Sequence, residues 1–150
     1  RVKPSQTPAP EPNTAELLRD AYAAIEDVVP VHLARHGHEA VRRAHGVVFQ
    51  YLDPDGTTVS ALAERAGMTK QAMGELVVHL ERHGYLRRVP DPADGRAKLV
   101  QLTDPGREVL RIVRTLVPEM EQRLIDRLGE QRRRQLRADL EAIRDEFAVE

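Results

Sequence analysis

The 150-residue sequence contains no cysteine. That absence removes a disulfide framework, a zinc ribbon and a thiol redox switch together, because each needs a thiol sulfur. No apolar run approaches the roughly 20 residues a membrane-spanning helix needs, and no signal-peptide pattern is visible. A cytoplasmic protein without a membrane partner is therefore expected. The sequence also lacks a glycine-rich phosphate loop, a His-Glu-x-x-His run and a convincing Ser-His-Asp set, so neither an enzyme nor a cofactor or metal is expected. Charge is nearly balanced, with 23 Lys and Arg against 24 Asp and Glu. A formal net charge of −1 argues against a protein that coats nucleic acid indiscriminately.

The stretch from Val59 to Thr103 carries the most information. Two helices that cross closely need a small residue at the contact, a turn residue that tolerates φ > 0, and apolar inner faces. Leu62, Ala66, Met68, Met73 and Leu76 supply the apolar positions, Ala63 the small contact, and Gly67 the turn. Thr58 and Thr69 stand where side-chain oxygens cap the two helices. By itself this pattern also fits an ordinary αα-hairpin. The next segment separates the two readings. Leu86-Arg87-Arg88-Val89 and Lys98-Leu99-Val100-Gln101-Leu102 are β-competent runs around the turn-rich Pro90-Asp91-Pro92-Ala93-Asp94-Gly95. An Asp-Gly turn is expected, with Arg96 and Lys98 on the arm after it. The combination predicts a winged helix-turn-helix, which sets one helix in the DNA major groove and a cationic ribbon beside it.

These residues resemble the DNA-binding core of the MarR (multiple antibiotic resistance regulator) family. The resemblance is carried by Leu62-Ala63…Gly67, Leu80-Glu81…Gly84-Tyr85-Leu86, Asp91-Pro92-Ala93-Asp94-Gly95-Arg96 and Leu102-Thr103-Asp104-Pro105-Gly106. It extends over residues 14 to 147 and implies a sequence-specific regulator, a repressor released by a small-molecule effector. In the family, the arginine of an Asp-x-Arg wing enters the minor groove, and Arg96 matches it. Two positions depart from the pattern. Gly95 stands where many members carry a second arginine, and Glu75 where the recognition helix often carries a basic residue, which leaves the operator sequence open.

The flanks read as helices. Residues 1–12 hold four of the ten prolines and are expected to be a disordered tail. Residues 13–56 hold two expected helices. The first starts at a capping box of Asn13 and Glu16 and is kinked or interrupted at Pro30; the second covers about His38 to Leu52 and ends at Asp53-Pro54-Asp55-Gly56. Residues 57–103 form the winged core. Residues 104–150 hold a long helix capped by Thr103, bent or divided at Pro118 and stopped by Gly129, then a last helix to about Phe147. The fold class is mainly α with a small β-wing. The terminal helices carry more apolar surface than one small reader covers, so a homodimer through them is expected, against the alternative of a monomer that packs them internally.

Charge favours the same division. Residues 57–103 hold seven Lys and Arg against five Asp and Glu, while 21–56 and 104–150 are each slightly acidic. Within the core, Thr69, Lys70, Gln71, Gly74 and Glu75 are expected to face a double-stranded DNA operator, with Arg87, Arg88, Arg96 and Lys98 on the wing. Lys70 suits phosphate or guanine, Gln71 adenine, and Glu75 cytosine N4 or else an ion pair with a nearby cation. His32, His36, His38 and His45 cluster near the first two helices. His32 and His36 have metal-ligand spacing, and the imidazoles also suit a pH sensor, but the later long helix offers no matching ligand. The family resemblance implies instead a cleft that takes a small aromatic or anionic effector, with His32, His36, Arg42, Arg43 and His45 as its residues; solvated helix surface stays open for each histidine. His79 and His83 are expected near the DNA backbone. The alternative function is a winged-helix module that binds protein without specific DNA binding.

Overall fold

The computed structural model describes residues 11–148. Most of the expected proline-rich tail, residues 1–10, lies outside the described residues. Six α-helices and one hairpin follow in chain order: α1 Thr14–Arg35, α2 Gly46–Tyr51, α3 Val59–Ala66, α4 Lys70–Arg82, β1 Leu86–Pro90, β2 Lys98–Leu102, α5 Asp104–Leu128 and α6 Glu130–Glu146. A single 3-10 turn, Arg43–His45, precedes α2. The protein is mainly helical with a small antiparallel wing, the architecture of a winged helix-turn-helix between terminal helices.

Helix boundaries follow local chemistry. Asn13 Oδ1 accepts from the Glu16 N–H at 3.0 Å and the Glu16 carboxylate accepts from the Asn13 N–H at 2.8 Å, a reciprocal cap that opens α1. Thr58 accepts from Ala61 N–H and Thr69 from Ala72 N–H, at 3.2 and 3.1 Å. Gly67 ends α3 in the left-handed region at φ 62°, where its missing Cβ removes the steric cost. From there the Met68 N–H reaches back to the Ala63 carbonyl at 2.9 Å, and α4 starts two residues later.

Two features differ from the sequence expectation. Neither Pro30 nor Pro118 divides its helix: α1 and α5 each run through as one element. Both prolines are at least partly exposed, so solvent can take the carbonyl left without its donor one turn back. The second helix does not begin near His38. Gly37 at φ 85° reverses the chain, and the Arg42 N–H is claimed by His45 Nδ1 at 2.9 Å, so only Gly46–Tyr51 is α-helical. The hairpin turns at Asp94-Gly95 as expected, without a positive φ at Gly95. Its bend is closed by the Ala97 N–H on the Asp94 carbonyl, with Asp91 and Asp94 carboxylates accepting from Ala93 and Arg96 N–H.

The hairpin pairs Leu86 with Leu102 and Arg88 with Val100. Thr57 adds a short bridge on the outer edge of β2, exchanging both backbone hydrogen bonds with Val100. The core draws on every layer: Leu33 of α1, Val48 of α2, Leu62 of α3, Met73, Val77 and Leu80 of α4, Leu86 and Val100 of the wing, and Val109 and Ile112 of α5. No residue of α6 is buried.

Where α5 begins, Gly106 packs against the turn that leaves α4. A Cβ there would stand 2.2 Å from the Tyr85 carbonyl oxygen and 3.0 Å from Leu102 Cδ2. Gly106→Ala is expected to destabilise the protein by about 2 kcal/mol or more, since the obstruction is backbone and cannot rotate away. Gly74 in α4 has nothing within 4 Å of the same added atom. Gly74→Ala is therefore expected to stabilise by about 0.5–1 kcal/mol. Urea denaturation of the two variants checks the opposite signs.

Candidate nucleic-acid interface

Burial of Met73, Val77 and Leu80 fixes the rotation of α4, so its opposite side must face solvent. That side carries Lys70, Gln71, Gly74, Glu75, Val78 and Arg82, which with Val59, His79 and Arg88 line a groove of about 530 Å³. Among the expected residues, Lys70, Gln71, Gly74 and Glu75 are thus brought together. Thr69 is exposed at the helix start but outside the groove, and its hydroxyl is engaged in capping. Besides Val59 of α3, two groove residues on α4 were absent from the sequence expectation, Val78 and Arg82. Both continue the stripe that begins at Lys70 and Gln71 at helical spacing, a signal that the change from polar to apolar at Val78 obscured.

The wing cations divide. Arg88 reaches back to α4, where its Nε donates to Glu81 Oε2 at 2.8 Å, and so it joins the groove. Arg87 alternates to the other side and lies 3.3 Å from Gln101 Oε1. Arg96 and Lys98 are exposed, Arg96 in the bend and Lys98 at the start of β2. Among the described residues, Lys70, Arg82, Arg96 and Lys98 enter no salt bridge, and neither does Glu75. The ion pair open to Glu75 in the sequence is therefore not formed. This face of α4 presents donors, acceptors and cations without carboxylate partners beside the wing.

The histidines do not share one cleft. The rings of His32 and His36 lie 4.5 Å apart, tilted by 34°, near the end of α1, and His38 Nδ1 lies 3.1 Å from the Tyr85 hydroxyl. His45 is carried by the reversal at Gly37 to the other side, where its ring stacks on His79 at 4.4 Å and 14°. His79 in turn lies 4.3 Å from His83 and bonds the Ala40 carbonyl through Nε2 at 2.8 Å. Arg42 and Arg43 line a cavity of about 670 Å³ between α1, α2 and α5, with Tyr22, Phe49, Val109 and Val113. His32 lines a separate cavity of about 410 Å³, and His36 and His45 line neither. Arg43 is already paired with Glu26 and Asp27, and the Tyr22 hydroxyl donates to Glu26 at 2.6 Å. That hydrogen bond holds the Tyr22 phenol above its ordinary range. Among the described residues, no group of three or more His, Asp or Glu stands at metal-binding geometry.

The element order, the capped helix pair and the two-stranded ribbon define a winged helix-turn-helix protein. Residues 42–97 match the model of the MarR family. It is similar to transcriptional regulator HosA of Escherichia coli O111:H-, at 29% identity over 116 residues covering 75% of this chain and 86% of HosA. Among solved structures, the Staphylococcus aureus MepR–DNA complex matches with a TM-score of 0.71 and 24% identity, over 91% of this chain and all of MepR. Streptococcus pneumoniae FabT in complex with DNA matches with a TM-score of 0.75 and 20% identity, over 87% of this chain and 92% of FabT. Among the described residues, no helix is long and apolar enough to cross a membrane.

Burial is the main cause that pushes the His45 imidazole from 6.5 to about 4, reinforced by His79, Arg42 and His83. The folded state thus binds fewer protons than the unfolded chain between these values. The His45 contribution is complete above about pH 6.5 and is lost as pH falls toward 4, at no more than about 1.4 kcal/mol per pH unit. His45→Asn, which offers an acceptor to the Arg42 N–H, is expected to flatten that part of the stability profile. Denaturation at pH 7.5, 6 and 5 measures it, and an unchanged slope would count against His45 as the source.

Proposed function

We propose that this protein is a dimeric repressor that binds a specific double-stranded DNA operator and releases it when a small molecule binds. One observation carries the reading: the solvent side of α4 presents Lys70, Gln71, Glu75 and Arg82 together, beside a wing that exposes Arg96 and Lys98. Hydrogen-bonding side chains on a protruding helix fit base edges in the major groove, and the wing cations fit the phosphates and the adjacent minor groove. Relatives of the same fold have been crystallised on DNA, MepR and FabT among them.

The dimer is supported by the surfaces that this chain alone leaves uncovered. Leu17, Tyr22 and Ile25 of α1, Val117 of α5, Leu136 and Leu140 of α6 and the adjacent Phe147 are exposed. A groove of about 910 Å³ between α1 and α5 is lined by Ile25, Val28, Val117, Met120 and Leu124. A second copy on a two-fold axis covers such surfaces and sets two readers about 34 Å apart on one DNA face. The effector reading rests on the 670 Å³ cavity, whose apolar walls meet Arg42 at the rim. With Arg43 held by two carboxylates, Arg42 is the cation left to meet an anionic group.

Arg96→Ala is expected to weaken binding to every DNA sequence and to lower the slope of log affinity against log salt by about one. Fluorescence anisotropy on DNA adjoining the protein's own gene, repeated over a salt series, measures both; unchanged affinity and slope would remove the wing from the interface. Sedimentation at micromolar concentration is expected to give a dimer. A stable monomer there would overturn the symmetric arrangement.

A further inference from the structure

We infer that Val78 reads a base: beside the side-chain-free step at Gly74, it takes the 5-methyl group of one thymine in each half-site. The inference rests on the reading of α4 as the DNA-reading helix. Among the described residues, Val78 is 43% exposed, and every other exposed large apolar side chain lies on α1, α5 or α6 or at Phe147 just after α6. Those others border further apolar surface. Val78 instead sits among Lys70, Gln71, Glu75, Arg82 and Arg88. With only Val59 as a further apolar side chain at the groove, this setting of cations and hydrogen-bonding groups does not fit an apolar protein partner. It does fit the edge of a major groove, where thymine alone of the four bases adds a methyl group to a polar pattern.

The helix geometry sets what lies around it. Gln71 and Val78 are seven residues apart, so they point the same way within about 20° and stand about 10.5 Å apart along the axis. That distance spans about three base-pair steps of roughly 3.4 Å. Gly74 lies between them, with open space where a Cβ would be, so the helix surface is lowered at that step. The Gln71 amide suits adenine N6 and N7 at one end of this span, and the Val78 methyls suit a thymine methyl at the other. Arg88, held by Glu81, keeps positive charge at the groove without covering Val78.

The test uses the full protein and a duplex selected from a randomised pool. Each thymine of the selected half-site is replaced in turn by deoxyuridine, which deletes only the methyl group. At one thymine per half-site, the wild-type protein is expected to lose about fourfold in affinity, the worth of one buried methyl. Val78→Ala is expected to bind the thymine and uracil duplexes within twofold of each other, and Val78→Ile to retain the discrimination. Because Val78 is exposed on a helix and Ala is the better helix former, the Ala variant should fold. The inference is overturned if no thymine methyl matters to the wild type, or if Val78→Ala keeps the same sensitivity. A pool that yields no salt-sensitive, sequence-selective duplex overturns the reading of α4 itself, a result distinguishable from either.

Discussion

The backbone at Gly84 and Tyr85 holds α4, the wing and the long helix α5 in one arrangement. The Tyr85 N–H closes α4 on the Leu80 carbonyl at 2.9 Å, and the Tyr85 carbonyl accepts from the Thr103 N–H at 3.1 Å. The Thr103 hydroxyl donates to the Gly84 carbonyl and accepts from the Gly106 N–H, so the residue that caps α5 also fastens it to the end of α4. Gly106 is the only residue type that fits against this carbonyl without displacing it. One turn thus sets where α4 ends, where β1 begins and where α5 starts. The buried Tyr85 ring extends the fastening to the loop after α1, through its hydroxyl and His38. Because this arrangement is made of backbone hydrogen bonds and close packing, it resists small deformations. That is the property a scaffold needs if its reader is to hold one angle.

Around this centre the molecule carries two unlike surfaces. The outward side of α4 and the wing is polar and cationic, with a single exposed valine. The outward sides of α1, α5 and α6 combine apolar side chains with arginine–carboxylate pairs, among them Arg111 with Glu108 and Arg133 with Glu121 and Glu130. Exposed pairs of this kind contribute little stability each, and mainly keep opposite charges in place on a surface of near-zero net charge. The separation explains how a chain with a formal charge of −1 has a cationic face on α4 and the wing: compensation occurs on the terminal helices and leaves Lys70, Arg82, Arg96 and Lys98 without carboxylate partners among the described residues.

What was legible in the sequence was local. The caps at Asn13, Thr58, Thr69 and Thr103, the glycine turn at Gly67 and both wing strands follow from short-range chemistry, and each stands where its residues imply. The polar stripe through Lys70, Gln71, Gly74 and Glu75 was legible for the same reason, since apolar positions a turn apart fix the rotation of α4. What was not legible depended on partners far away in the chain. The helix expected from His38 is withheld because His45 turns to Arg42 and to His79, and because the Ala40 carbonyl is met by a histidine 39 residues later. The bridge between Thr57 and Val100 is of the same kind. At Pro30 and Pro118, where a bend or a break was open, the break does not occur, since α1 and α5 each run through as one element.

The departures at Glu75 and Gly95 have one physical consequence for a DNA-reading surface. Sequence-independent affinity comes from cations at phosphates, and this chain has one fewer at the wing tip and an unpaired carboxylate in the groove. A carboxylate near phosphates is repelled wherever it lacks a donor, and is compensated only where a base edge offers one, as cytosine N4 does. Such a residue raises the cost of wrong sites more than it strengthens the right one. Weaker general attraction at Gly95 acts in the same direction, because it lowers binding to all sequences alike while leaving differences between them. Specificity is a difference of affinities, and a reader that gives up phosphate attraction and adds a selective penalty widens that difference. On this argument the two positions where the chain departs from the MarR pattern it resembles would act together in the proposed interface: both would move the balance from holding DNA to choosing among sequences.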